Sequence, residues 1–314
     1  MNKFLGNIVA LDSSYIMHRS CRAMDSLRTS SGKKSGGFYG YLRILVSQLR
    51  KMPPGYFPVS CWDDGRSQRR LDLYPDYKGS LTRAQAPPDP KQEDYLSGFF
   101  TQRAKVIEFL DAAGIPSLKF KGWEGDDLIK LISESSEHCI ISSDDRDMIQ
   151  MVSPSTIVYR PMQDEIYRYD TEDPNFSRRY LIAKAIVGDK SDNIPKVAKG
   201  VGSKSADKLA EWVVNHPDLS DRDALLSYPD EKLVNKIKDH LDQYELNMKL
   251  MDLDLIEVPD GFQSLIEGSI RMSYHEPDYF KMMTLLGEYE ISSIDVSELV
   301  SLLRLRRGGL LNEA

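Results

Sequence analysis

Of its 314 residues the chain spends only three on cysteine, Cys21, Cys61 and Cys139, and these lie far apart. That excludes a disulfide framework and a cysteine-rich zinc site, and it implies a reducing compartment. No apolar run approaches the ~18 residues that a membrane-spanning helix needs. The opening "MNKFLGNIVALD" has only Ile8 to Leu11 as an apolar run, too short for a signal peptide. Five histidines (His18, His138, His216, His240 and His275) are scattered, so neither a histidine-ligated metal nor a serine–histidine constellation is legible. A soluble, intracellular chain with no membrane partner is expected.

What is abundant is charge. Charged residues make up 28% of the chain and hydrophobic ones 41%, with a net charge of −7. That balance suits a globular protein but not, at first sight, a polyanionic partner. The distribution says otherwise. From Arg178 to Lys208 eight basic residues face three acids, a local charge of +5. On charge alone, such a window is a solvated basic face.

"GNIVALD" and "FPVSCWDD" read as short buried strands, each ending in acid, and "HCIISSDD" as a third. "GGFYGYLRILVSQLRKM" and "EDYLSGFFTQRAKVIEFLDAAG" have helical spacing, and "TIVYR" with "EIYRYD" reads as a hairpin. Residues 65–92, polar and proline-bearing, suit a long functional loop. From about Thr171 the pattern is helical. Strands alternating with helices predict an α/β fold with a mostly parallel sheet flanked by helices.

Acids recur where those strands end: Asp12; Asp63; Glu124, Asp126 and Asp127 in "GWEGDDLIKLI"; Asp145 and Asp147. Sites in open parallel sheets form outside the carboxyl ends, so residues far apart in sequence can converge there. Asp189 and Asp192 in "VGDKSDN" could fold over the same edge. Each acid taken singly is an ordinary helix start or turn residue, favoured by about 0.3–1 kcal/mol near a helix N-terminus. Capping does not explain an acid at every such strand end. At ~4 Å and an effective dielectric of ~20, each like-charge pair costs about 4 kcal/mol, so cations are expected between them. Oxygen ligands select Mg2+ or Mn2+ over zinc. Removing nine such acids from a net charge of −7 leaves +2, so the acidity is mostly site. Two divalent ions can activate water and neutralise an in-line phosphoryl displacement, with no side-chain base required.

Two basic elements fit a phosphodiester substrate. "KGVGSKSADKL" opens a helix behind Gly200 and Gly202, with Lys199, Ser203, Lys204 and Ser205 beside them. Glycines allow close approach, and exposed amides at a helix start bind phosphate oxygen. This is a helix–hairpin–helix pattern, which grips a DNA backbone without reading bases. "RRLDLYPDYKGS" interleaves Arg69, Arg70 and Lys78 with Tyr74 and Tyr77, followed by Arg83. Such spacing allows base stacking with cations on phosphates.

Together the ordered motifs "LDSSYIMHR", "GFYGYL", "WDDGRSQRR…YPDYKGS", "GWEGDDLI", "SSDDRDMIQMV" and "VGDKSDNIPKVAKGVGSKSA" closely resemble the 5′-nucleases, the flap endonucleases and 5′→3′ exonucleases that include the amino-terminal domain of bacterial DNA polymerase I and phage enzymes. The resemblance runs from about Ile8 to Trp212. It implies a PIN-like core over residues 1–170, with a helical arch at about 65–105, a helix–hairpin–helix DNA-binding region over 171–270 and a helical tail over 271–314. It implies that Asp12, Asp63, Glu124, Asp126, Asp127, Asp145, Asp147, Asp189 and Asp192 hold two to three Mg2+ or Mn2+ ions. Arg19, Arg70 and Lys78 match residues that contact the scissile phosphate, with Tyr77 as a stacking neighbour. Arg69, Arg83, Lys196, Lys199 and the hairpin residues through Ser205 are expected to bind DNA, with K+ a candidate at the hairpin. The implied activity is hydrolysis of DNA or RNA primers near 5′ ends and flap junctions, in replication or repair, by a cytoplasmic monomer of a bacterial cell or phage-infected host. An RNA–DNA hybrid and replication proteins are candidate partners. Two departures stand out: Lys196 replaces the family's hairpin glycine with one residue inserted, and Ser80 to Thr82 separate "YKG" from Arg83.

Three other readings are weaker. A haloacid-dehalogenase-type phosphatase would carry Asp-x-Asp on its first strand, where this chain has "LDSS". A DNA-binding member of the 5′-nucleases that has lost catalysis would lack a carboxylate or Lys78, and none is missing. An RNA-directed PIN ribonuclease would share the acids but not the hairpin or arch segment.

Overall fold

The structure is a computed structural model that describes residues 5–79 and 90–307. Arg83 lies outside the described residues. A six-stranded sheet forms the centre, in the order β3-β2-β1-β4-β5-β6. Its strands are β1 (Leu5–Asp12), β2 (Phe57–Cys61), β3 (Ser117–Leu118), β4 (Ser136–Ser142), β5 (Thr156–Arg160) and β6 (Glu165–Tyr167). The first five are parallel, and β6 closes a hairpin antiparallel to β5.

Both faces of the sheet are covered, which is why the strands read as near-continuous apolar runs. On one face, Val9 and Leu11 join a core with α1 (Ser13–Ala23), α2 (Gly36–Lys51) and α4 (Pro90–Ala112). Two late helices, α12 (Tyr279–Glu288) and α13 (Val296–Arg304), bury Leu285, Leu286, Leu299 and Leu303 in that same core. On the other face, Ile8 and Ala10 meet α5 (Gly125–Ser135) and α11 (Phe262–Ser273). A third core lies within α6 (Phe176–Val187), α7 (Ser203–Val214), α8 (Asp221–Leu226), α9 (Glu231–Ile237) and α10 (Leu241–Met251). Among the described residues no helix is long and apolar enough to cross a membrane.

Three local features depart from the sequence pattern. Helix α1 starts directly after β1, capped by the Asp12 side chain, which accepts from the Tyr15 amide at 3.0 Å. "IPSLKF" carries the two-residue edge strand β3. Within the stretch expected as loop, Gln68–Leu73 form a short helix, α3, stitched by Gln68 Nε2 donating to Asp72 at 2.7 Å. The chain runs outward from β1 to β2 and β3, then returns to β4 and β5 on the other side. The point where strand order reverses therefore lies between β1 and β4, where α/β sheets place their ligands.

Candidate metal and phosphodiester site

The acidic residues gather at that reversal. Leu11 is in register with Ser142, so Asp12 and the residues after β4 emerge side by side. Ser143 donates its hydroxyl to Asp12 Oδ2 at 2.6 Å, joining the two strand ends. Asp63, just past β2, accepts from the Gly125 amide at 2.6 Å, which seats the start of α5 beside it. A Cβ on Gly125 would stand 3.1 Å from that Asp63 oxygen. Asp145 caps the turn of 3-10 helix Arg146–Met151 by accepting from the Asp147 amide at 2.9 Å.

Among the described residues, five of these acids have no lysine or arginine at ion-pair distance: Asp12, Asp63, Asp126, Asp145 and Asp192. Burial pushes Asp12 up to about 7, with Asp63 and Asp145 adding repulsion. Asp126 is raised well above the usual carboxylate range by burial and by Asp145 and Asp12. Asp145 is raised by burial and Asp147, and Asp192 by burial and Asp189. Asp12, Asp126 and Asp145 lie on one poorly solvated edge, and Asp192 is pushed up from the side of Asp189, Glu124 and Asp147.

The other four are neutralised internally. Arg70, on α3 and only 3% exposed, donates to both oxygens of Asp127 at 2.8 and 3.0 Å and to Glu124 at 2.9 Å. Its Nε donates to the Leu250 carbonyl at 2.9 Å. Lys78 reaches Glu124 Oε1 at 3.1 Å, and the Tyr77 hydroxyl donates to Glu124 at 2.9 Å. Burial opposes ionisation of Glu124, but Lys78 and Arg70 outweigh it and hold its carboxyl below the usual range. Lys184, on α6, bridges Asp147 and Asp189, contacting the latter at 2.9 Å. Against the effect of burial, Lys184 and Ser191 take Asp189 down to about 2.

Three placements differ from the sequence expectations. Arg70 has its guanidinium buried and bonded to Glu124, Asp127 and a backbone carbonyl rather than open to solvent. Asp127 is not brought to the unpaired acids: its carboxylate closes a capping box with Glu124 and holds Arg70. Tyr77 presents no open ring for stacking, since it is buried and its hydroxyl is bonded to Glu124 and Asp192. Arg69 is half-buried and donates to the Lys249 carbonyl at 2.8 Å. Arg19 lies half-buried one helical turn past Tyr15 on α1.

Lys78 is held differently. Its φ of 54° lies in the left-handed region, which costs a non-glycine residue roughly 1–2 kcal/mol. The strain is sustained by a clamp between two loops: the Lys78 amide donates to the Asp192 carbonyl at 2.8 Å, and Asn193 donates to the Asp76 carbonyl at 2.9 Å. Such strain persists where the surroundings over-determine it. A cavity of ≈ 20 Å³ joins the two groups of acids, bordered by Asp126, Asp147, Asp189 and Asp192, by Arg70, Tyr77 and Lys184, and by the apolar side chains of Ile194, Leu250 and Met251. That is room for about one water-sized occupant.

The residues fit a hard divalent cation. The donors are all oxygen, and five of them have no cation at ion-pair distance among the described residues. Among the described residues no three acidic, histidine or cysteine side chains are already drawn into a ready coordination cage. Magnesium keeps several waters and takes few carboxylates directly, so it does not require one.

Beyond the acids, α6 ends at Gly188, whose φ of 74° and whose neighbours exclude a side chain: a Cβ would fall 2.6 Å from the Ile194 oxygen. The segment then folds back through paired Asp189 and Ile194 backbone bonds, and buried Asn247 donates to the Ala185 and Pro195 carbonyls at 2.8 and 2.7 Å. Lys196, Lys199, Gly200, Gly202, Ser203 and Lys204 are exposed along the connection into α7, with Ser205 half-buried behind them. Sequence reasoning missed Lys184 as a site residue. Its signal was available: a lysine in the last turn of a helix that ends one residue before an acid.

Residues 7–180 match the model of the family described as 5′-3′ exonuclease, N-terminal resolvase-like domain. The chain belongs to this family. It is 32% identical over 271 residues to the 5′-3′ exonuclease of Aquifex aeolicus, spanning 79% of this chain and 88% of that protein. It is 29% identical over 254 residues to the thermostable DNA polymerase I of Thermus thermophilus, spanning 78% of this chain but only 28% of the polymerase. Its fold resembles the bacteriophage T5 flap endonuclease crystallised with DNA and metal ions, with a TM-score of 0.60 at 19% identity, covering 90% of this chain and 99% of that one.

Proposed function

We propose that this 5′-3′ exonuclease family member hydrolyses DNA phosphodiesters near 5′ ends and flap junctions with Mg2+ or Mn2+, leaving a 5′-phosphate, in replication or repair. The observation that carries this reading is the group of five unneutralised carboxylates at the β1/β4 reversal. The DNA- and metal-bound phage endonuclease of the same fold supports it. Asp12, Asp63, Asp126, Asp145 and Asp192 would hold two to three ions, joined by Asp147 and Asp189 once Lys184 swings aside. Bound divalent ions supply a water of lowered pKa and neutralise charge on the phosphoryl group.

The chain's own residues do the rest. Lys78 stands over the cluster from its clamped loop and offers its ammonium to the scissile phosphate, as a preorganised charge that need not reorganise during reaction. Arg70 acts one step back, fixing Glu124 and Asp127 and thereby the start of α5 that carries Asp126. Residues 1–170 form the catalytic core. Residues 171–270 form the DNA-binding region, where the exposed hairpin amides and lysines grip the duplex backbone and K+ is a candidate ligand. Cleavage of a 5′-flap duplex labelled at either end tests the reading, with Mg2+ or with chelator, beside Asp126→Asn/Asp145→Asn. Mg2+-dependent cutting near the junction, lost in the double variant, supports it. Intact flap binding without cutting overturns it in favour of a DNA-binding member of the family that lacks catalysis. Matched RNA-primed and DNA-primed flaps show which strand is preferred.

A further inference from the structure

Ser143 follows β4 directly and is only 1% exposed. Its amide donates to the Tyr159 carbonyl of β5 at 3.1 Å, which ties its backbone to the sheet. Its hydroxyl lies between two of the unpaired acids: Oγ donates to Asp12 Oδ2 at 2.6 Å and accepts from the Asp145 amide at 3.0 Å. A hydroxyl carries one proton and two lone pairs. The Asp145 amide can only donate, so a lone pair of Oγ receives it and the single proton goes to Asp12. The other Asp12 oxygen, Oδ1, accepts from the Tyr15 amide at 3.0 Å. The Asp12 carboxylate is thus held at both oxygens, once from the helix that follows it and once from a residue 131 positions away.

Asp145 is held from the same point. Its backbone enters the 3-10 turn through the Ser143 contact, and its side chain then accepts from the Asp147 amide at 2.9 Å. One buried oxygen therefore fixes the spacing of two carboxylates carried by different strand ends. Like charges favour separation of such a pair, and the shared serine opposes it. Groups that orient the ligands of a metal typically change its affinity by about 10–100-fold when they are removed. Ser142, one residue earlier, supplies the contrast: it is fully buried too, yet its hydroxyl has no partner among the described residues. We propose that Ser143 is a positioning residue for divalent-cation binding, its hydroxyl preorganising Asp12 and Asp145 as ligands. The inference rests on the metal-dependent nuclease reading and assigns a role to a residue that carries no charge.

The test is Mn2+ titration of the full chain without DNA, followed by calorimetry and by paramagnetic resonance. Ser143→Ala keeps every carboxylate and is expected to bind Mn2+ about 10–100-fold more weakly. Where alanine impairs folding, Ser143→Cys carries the same expectation, because a thiol fills the space but is a weak donor. Ser142→Ala should leave Mn2+ affinity unchanged. In flap cleavage, the Mn2+ concentration giving half-maximal rate should rise in Ser143→Ala in parallel with the loss of affinity. Unchanged Mn2+ affinity in the folded Ser143 variant, or an equal loss in Ser142→Ala, overturns the proposal. Mn2+ binding that Asp126→Asn abolishes and Ser143→Ala leaves intact overturns the role of Ser143 alone. A wild-type chain that binds no Mn2+ overturns the nuclease reading, and the role of Ser143 with it.

Discussion

Glu124, Asp127, Asp147 and Asp189 are balanced by Arg70, Lys78 and Lys184, while a short distance away Asp12, Asp63, Asp126, Asp145 and Asp192 have no such partner among the described residues. All nine acids occupy one edge of one sheet, and the sequence pattern treats them alike. The paired acids build the site, because each holds a buried cation that fixes a loop or a helix start. The unpaired acids are buried without a cation, and burial first, then neighbouring carboxylates, moves Asp12, Asp126, Asp145 and Asp192 upward. A count of carboxylates is therefore not a count of metal ligands.

The most severe way to break the paired side is Arg70→Ala. It strands the buried Asp127 carboxylate and takes one of two cations from Glu124, and should cost about 3–5 kcal/mol of stability, read from urea unfolding. Arg70→Met/Asp127→Leu should recover part of that loss by removing charge from both ends of the pair. Lys78→Ala attacks a cation that faces both groups. It should lower kcat for flap cleavage by about 10²–10³ with flap affinity little changed, as measured in single-turnover kinetics.

Proton linkage sharpens the contrast with no mutation. Asp12 has a folded value of about 7 against an ordinary 3.8, so the metal-free native state binds the extra proton. Its contribution to stability is full below about pH 4 and is lost as pH rises toward and through 7. Asp126 and Asp145 shift in the same direction. The melting temperature of the chelated protein should fall from pH 5 to pH 8, and Mg2+ should raise it more at pH 8 than at pH 5. Asp145→Asn should leave the chelated protein as stable as wild type or about 1 kcal/mol more stable, whereas Asp127→Asn should destabilise it. The smallest effect belongs to the exposed lysines leading into α7: Lys199→Ala or Lys204→Ala should weaken duplex binding uniformly across sequences and reduce its salt slope by about 1.

Much of the sheet and of the acidic edge was legible because both rest on local pattern: apolar runs of strand length, each ending in acid. The short strand β3 was not, since two residues carry no periodicity, and α1 was hidden by its serines and by the strand that runs straight into it. Arg70 illustrates what pattern cannot reach. It sits in a stretch as polar as any solvated loop, and what buries it is Glu124, Asp127 and the Leu250 carbonyl, all remote in sequence. The sharing of Lys184 between two acids likewise depends on how α6 docks beside the 3-10 turn. Strand-end chemistry can be read along the chain, but which acids already own a cation is decided by tertiary contact.

Mn2+ binding, followed by calorimetry and by paramagnetic resonance, distinguishes the paired acids from the unpaired ones. Asp126→Asn and Asp127→Asn each remove one negative charge within neighbouring positions of one helix start. If the unpaired acids hold the metal, Asp126→Asn loses most Mn2+ affinity or a whole site, and folded Asp127→Asn keeps both. Equal losses in the two variants, or a greater loss in Asp127→Asn, would contradict it.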